Sequence, residues 1–165
     1  MSKSTLVGYS HAFLVAADAH AKAAKAAGVN GEVDGMMCVI ALQNAVAGAI
    51  KVLGKGDPAV KAYFAQSQDL KEVRDMFTHF DEYALGKGKL QKSLDGTTGP
   101  FGWMPMWNTD ETFLILNRRK GETLPTEHKV NIHSALKAVA VLVAAAAAKM
   151  NKTPSALLLK LTDQT

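Results

Sequence analysis

The chain has 165 residues, of which 48% are hydrophobic; that is enough to build the core of one domain and excludes global disorder. Lys and Arg number 19 against 15 Asp and Glu, a net charge of +4 that suits a polyanionic partner without requiring one. Cys38 is the only cysteine, which excludes an internal disulfide and a thiolate zinc site and fits a reducing compartment.

In chain order, residues 4–27 are alanine-rich and favour a helix, which Gly28-Val29-Asn30-Gly31 ends with residues that tolerate left-handed backbone. Asp18, Lys22, Lys25 and two histidines interrupt this segment, so it does not read as a secretory signal. A second helix is predicted after Asp34, over 36–53, because Met36, Val39, Ile40, Val46 and Ile50 recur at helical spacing. Gly54 closes it, and Asp57-Pro58 reads as an N-cap followed by a first-turn proline. The third helix is predicted from Pro58 to about Leu85. Its apolar stripe is Val60, Phe64, Leu70, Val73, Phe77, Phe80 and Ala84, with room for a break at Ser67-Gln68 and a stop at Gly86 and Gly88.

Residues 86–110 are rich in glycine, with two prolines and Phe101, Trp103, Met104, Met106 and Trp107, and predict an ordered loop whose aromatics need a packing surface. Thr112-Phe113-Leu114-Ile115-Leu116 reads as a strand, 117–122 as a tight turn, and Thr123-Leu124 as the return of a short hairpin. The fourth long helix is predicted from near Thr126 to Met150, and Thr153-Pro154 opens a last short helix through Leu161. The apolar run 138–148 is shorter than the roughly 20 residues that span a bilayer, so it reads as a buried helix of a soluble, cytoplasmic protein with no membrane partner. The expected fold is mainly α. It is an up-and-down bundle of four to five helices in one domain, 1–165, with a loop and β-hairpin inserted over 86–125 before the last long helix.

The chemistry-bearing stretch is Val73-Arg74-Asp75-Met76-Phe77-Thr78-His79-Phe80-Asp81-Glu82-Tyr83. A guanidinium grips phosphate with two prongs, and an imidazole titrates near neutral pH and moves protons. On one continuous helix Arg74 and His79 would point about 140° apart with a rise of about 7.5 Å, flanking the apolar stripe. One copy is then a poor site, whereas two copies across a two-fold axis could line one groove with both pairs. Asp75 stands four residues before His79 and is placed to orient the imidazole.

Arg74-Asp75-Met76-Phe77-Thr78-His79 resembles the signature of the HEPN superfamily: an arginine, a polar residue, then a histidine after four to six intervening positions. The likeness covers about a dozen residues closely and the helix order loosely. It implies a homodimer whose paired motifs form a metal-independent ribonuclease site, as in toxin and defence proteins, with RNA and a cognate antitoxin as partners. By that analogy His79 acts on the ribose 2′-hydroxyl or the leaving oxygen, Arg74 steadies phosphate charge, and Asp75 supports His79. Some toxin members carry a tyrosine two positions after the histidine; here Asp81 stands there and Tyr83 two further on. The superfamily also holds members without catalysis. The alternative is therefore a helical dimerisation module that binds a nucleotide, nucleic acid or protein.

Lys87, Lys89, Lys92, Arg118 and Arg119 are candidate phosphate contacts. Gly86-Lys87-Gly88-Lys89 does not match the phosphate-loop pattern and follows a helix, so it reads first as a helix stop with solvated lysines. Trp103 and Trp107 could stack on bases, with core or lid packing the simpler role; a small-molecule pocket under this loop is a third reading. No glutamate precedes a histidine by three residues, and neither HExxH nor G-x-S-x-G occurs, so no metal, cofactor or serine-elbow site is expected. Cys38 lies in an apolar run and reads as a core thiol.

Overall fold

A computed structural model describes residues 2–66, 69–91, 103–108, 111–118 and 122–162. The first two helices, α1 (Lys3–Ala27) and α2 (Glu32–Leu53), fold back on one another through a short 3-10 turn at Gly28–Asn30. Ser2 caps α1, its hydroxyl accepting from the Thr5 N–H at 3.1 Å. The start expected after Asp34 moves forward to Glu32: Asp34 is not a cap, because His20 Nδ1 of α1 stands 2.8 Å from its carboxylate and ties the two helices together.

The long third helix expected over 58–85 is three short ones: α3 (Pro58–Gln66), α4 (Leu70–Thr78) and α5 (Phe80–Ala84). Ser67 and Gln68 lie outside the described residues. The aromatic loop also differs from expectation. Trp103–Trp107 is a strand, β1, which pairs antiparallel with β2 (Thr112–Asn117). Pro105 is compatible with β1 as an edge strand, which carries a ladder on one side only.

The segment from Thr126 is likewise no helix start. Thr126–Asn131 forms β3 on the other edge of β2, with Phe113 opposite Val130 and Ile115 opposite His128. Helix α6 (Ile132–Lys149) begins only where the Asn131 side chain accepts from the Ser134 N–H at 2.9 Å. Cross-strand pairing and this cap together place the helix start after Asn131 rather than near Thr126. The short helix α7 (Ala156–Thr162) follows and is tethered to α1 by a 2.6 Å hydrogen bond between His11 Nε2 and Ser155 Oγ. The architecture is mainly helical, with a small three-stranded antiparallel sheet before the last long helix.

Helices α1, α2 and α6 pack as a trunk through small residues, among them Ala17, Ala45, Ala49, Ala140 and Ala146, all fully buried. Both α2 and α6 are long and apolar enough to cross a membrane by length and composition, and half of each such stretch is buried within the fold. Lys149 at the end of α6 donates to the Leu53 carbonyl at 2.8 Å, satisfying an acceptor at the end of α2.

Strand β2 alternates strictly: Phe113, Ile115 and Asn117 are buried, while the residues between them are half-buried. Phe113 meets the Trp107 ring and, edge-on, the Phe77 ring of α4, both at 5.0 Å between centroids. Gly35 of α2 lies against the same cluster, and a β-carbon there would overlap the Phe113 and Trp107 rings. Such ring pairs contribute about 0.5–1.5 kcal/mol each beyond the area they bury. Gly35→Ala is therefore expected to destabilise the protein by about 1–3 kcal/mol through overpacking, read as a lower urea midpoint with an unchanged transition slope.

Candidate functional site

The motif is placed by what α4 buries. Leu70, Val73, Met76 and Phe77 face the core, and Val73 and Met76 are fully buried. At the start of α4, Asp69 makes no side-chain cap. Its carboxylate accepts from the Lys129 N–H of β3 at 3.3 Å and lies 3.4 Å from His128 Nδ1. The sheet thus fixes both the entry and the inner face of α4, leaving Lys71, Glu72, Arg74 and Asp75 on its outer side.

At the far end, His79 has φ −120° and ψ 35°, outside the helical region, and separates α4 from α5. The Thr78 hydroxyl donates back to the Arg74 and Asp75 carbonyls at 3.1 and 3.2 Å, competing with the backbone ladder at the last turn. The ladder is not severed, since the His79 N–H still reaches the Asp75 carbonyl and the His79 carbonyl accepts from Tyr83. The imidazole stands at a corner between two short helices, 58% exposed. The single-helix geometry expected for Arg74 and His79 therefore does not hold.

The side-chain pairing also departs from expectation. Asp75 does not hold His79. Its carboxylate is bridged by Lys71 Nζ at 2.7 Å and Arg74 Nη1 at 3.1 Å. The hydrogen bond to Asp75 raises the Lys71 pKa above its ordinary value. His79 instead has Glu82 as its acidic neighbour, at 3.8 Å and with both groups more than half exposed, so the pair contributes little to stability. Arg74 Nε is buried and has no hydrogen-bond partner among the described residues, a deficit that costs about 1–3 kcal/mol when left unmet.

A cavity of about 340 Å³ opens at this corner, lined by Asp75, His79, Glu82, Tyr83, Lys89 and Leu90 together with Lys71 and Glu72. Arg74 is not among its lining residues, so one chain brings Asp75 and His79 to the cavity and leaves the guanidinium outside it. Its wall mixes three carboxylates with two lysines and the imidazole.

Beyond α5 the chain turns at Gly86 and folds back on Tyr83. Gln91, fully buried, donates from Nε2 to the Tyr83 carbonyl and accepts the Gly88 N–H at Oε1, both at 3.1 Å. The Tyr83 hydroxyl accepts the Leu90 N–H at 3.3 Å. Burial raises the Tyr83 pKa above its ordinary value, so it is held as the neutral hydroxyl; the Leu90 bond partly opposes the shift. Sequence reasoning missed Gln91; Glu82 and Tyr83 stood within the stretch it singled out, without a role assigned to them. The available signal was a tyrosine followed at short range by Gly-x-Gly and then a glutamine, whose amide can both donate to and accept from the backbone of such a turn.

Of the candidate phosphate contacts, Lys89 lines the cavity, Lys87 is exposed on the turn outside it, and Arg118 is exposed at the end of β2 away from it. Lys92 and Arg119 lie outside the described residues, as do Phe101 and the side chain of Trp103. Trp107 is used internally: its Nε1–H donates to the Gly28 carbonyl at 2.9 Å. Phe80 and Leu85, next to the corner, are 62% and 71% exposed. Among the described residues no group of three His, Cys, Asp or Glu side chains is arranged to hold a metal ion.

Cys38 is fully buried on α2, and burial, with a smaller contribution from Asp18, pushes its thiol up to about 12 from the usual 9.0. It is therefore protonated throughout the neutral range and unavailable as a nucleophile. Comparison with protein-family models, with curated proteins and with solved structures finds no match to this chain. At pH 8 the Cys38 thiol is expected to react with an aromatic disulfide reagent about 100-fold more slowly in the folded protein than in urea, because only the unfolded chain presents a thiolate; stopped-flow absorbance measures both rates.

Proposed function

We propose that this chain is an HEPN-like helical protein that pairs with itself and cleaves RNA at the α4–α5 corner without a metal, a cytoplasmic ribonuclease of the toxin or defence type. The observation that carries the reading is the exposed imidazole of His79 on a cavity at a helix corner, with the exposed apolar side chains of Phe80 and Leu85 beside it. An apolar rim next to an ionisable cleft is what a second copy would cover while leaving the cleft reachable.

In this reading neutral His79 takes the proton of the ribose 2′-hydroxyl as its oxygen attacks phosphorus, and an imidazolium protonates the departing 5′-oxygen. Arg74 compensates the charge that accumulates on the phosphoryl oxygens. Pairing of two copies supplies what a single chain lacks, a guanidinium on the cavity that His79 lines. A phosphate must displace Asp75 from Arg74 Nη1. Glu82, rather than Asp75, is the carboxylate beside the imidazole.

A second reading has its own support. Arg74 is held by Asp75 and stands off the cavity, which suits a paired module that binds nucleic acid, a nucleotide or a protein without chemistry. Incubating purified protein with RNA in excess chelator separates the two. The nuclease reading expects fragments ending in 2′,3′-cyclic phosphate and 5′-hydroxyl, with rates reduced at least about 100-fold by either Arg74→Ala or His79→Ala. Phe80→Glu with Leu85→Glu is expected to give a monomer by light scattering and to lose cleavage with it. RNA retention without cleavage selects the module, and cleavage that survives His79→Ala overturns the proposal.

A further inference from the structure

The segment from Tyr83 to Gln91 is more elaborate than a helix stop requires. A helix can end at Gly86 alone, where φ is +74°. Here the chain continues into a tight return that uses a fully buried glutamine, a tyrosine hydroxyl and a glycine pressed against a ring. A β-carbon at Gly88 would overlap the Tyr83 ring, so the turn and the ring are fitted to one another. A buried Gln side chain is costly unless both ends of its amide are satisfied. Both are, by the Tyr83 carbonyl at the start of the return and the Gly88 N–H within it. The one cationic side chain that the return delivers to the cavity wall is Lys89, on the same cavity as His79.

We infer that Tyr83, Gly88 and Gln91 are positioning residues that hold Lys89 on the cavity, where its ammonium contacts a backbone phosphate of single-stranded RNA. The inference rests on the RNA reading above and deepens it by assigning how the strand is held. A lysine ammonium is a point charge that reads phosphate and not base edges, so the contact contributes affinity without sequence preference. Fixing the turn matters because a free lysine side chain loses rotamer entropy on contact, and an anchored backbone limits what remains to be ordered.

The test uses the purified full chain with a fluorescein-labelled oligouridine and fluorescence anisotropy across a series of salt concentrations, on a His79→Ala background that leaves the RNA intact. Lys89→Ala is expected to weaken binding about three- to ten-fold and to lower the slope of log affinity against log salt by about 0.7, the loss of one phosphate contact to a single strand. Lys89→Arg is expected to keep the slope. Tyr83→Phe, which removes only the hydroxyl, and Gly88→Ala, which pushes the turn off the ring, are each expected to lower the slope. In combination with Lys89→Ala they are expected to add nothing further. Unchanged circular dichroism in Tyr83→Phe separates this from misfolding. A Lys89→Ala slope equal to that of the parent, or effects that multiply in the double variants, overturns the inference while leaving His79-dependent cleavage standing. Failure of the parent to bind RNA at all overturns both.

Discussion

The edge-on contact between Phe77 and Phe113 is the constraint on which the functional half of this molecule depends. Phe113 is fully buried on the inner face of β2, and Phe77 comes from a helix of only nine residues. A helix that short is unstable by itself in water. It holds its shape because one face is clamped to the sheet and its first turn is pinned to β3 through Asp69. Gly35 extends the clamp to α2 by letting the same ring sit against the helical backbone. The sheet is therefore the mould in which the outer face of α4 is set, although none of the described cavity-lining residues comes from a strand.

That arrangement explains the distribution of charge. With Val73, Met76 and Phe77 committed inward, the polar side chains of α4 emerge together and pair locally, Asp75 taking both Lys71 and Arg74. The imidazole escapes this network because the helix stops at it. A corner residue points differently from a helical one five places on from Arg74, and its neighbours then come from α5 and the following return. A composite site assembled from two chains would use both consequences: a basic group kept neutralised until a phosphate competes for it, and an imidazole left accessible.

Much of the trunk was legible in the sequence. Residues 4–27 and 36–53 carried helical spacing and punctuation, and the apolar run 113–116 read as a strand, though which of its faces is buried did not show. The misreadings share one cause, which is that tertiary partners decide between states that local pattern leaves open. Thr126–Asn131 carries polar residues at the exposed positions of a strand and only Val130 fully buried, too little alternation to be seen without β2 beside it. Trp103–Trp107 contains a proline, which argues against a strand until the edge position is known. The break at His79 leaves no proline or glycine to betray it; a threonine bonding backward and the competing demands of two packing faces produce it. In the site, residue types were readable and partners were not. Asp75 had the right spacing for His79, but the nearer cations took it.

The trunk has a material consequence of its own. Where Ala17, Ala45, Ala49, Ala140 and Ala146 meet, the helices touch through groups that have no rotatable side chain. Ordering them costs almost no side-chain entropy, and they let the helices approach closely between the branched side chains of Leu14, Leu42, Val46 and Val143, which are buried in the same trunk. Such a seam has nothing to trim and no slack to absorb an added methylene. An added methylene on this seam would push the trunk helices apart, so larger side chains fit only on the outward faces of the fold.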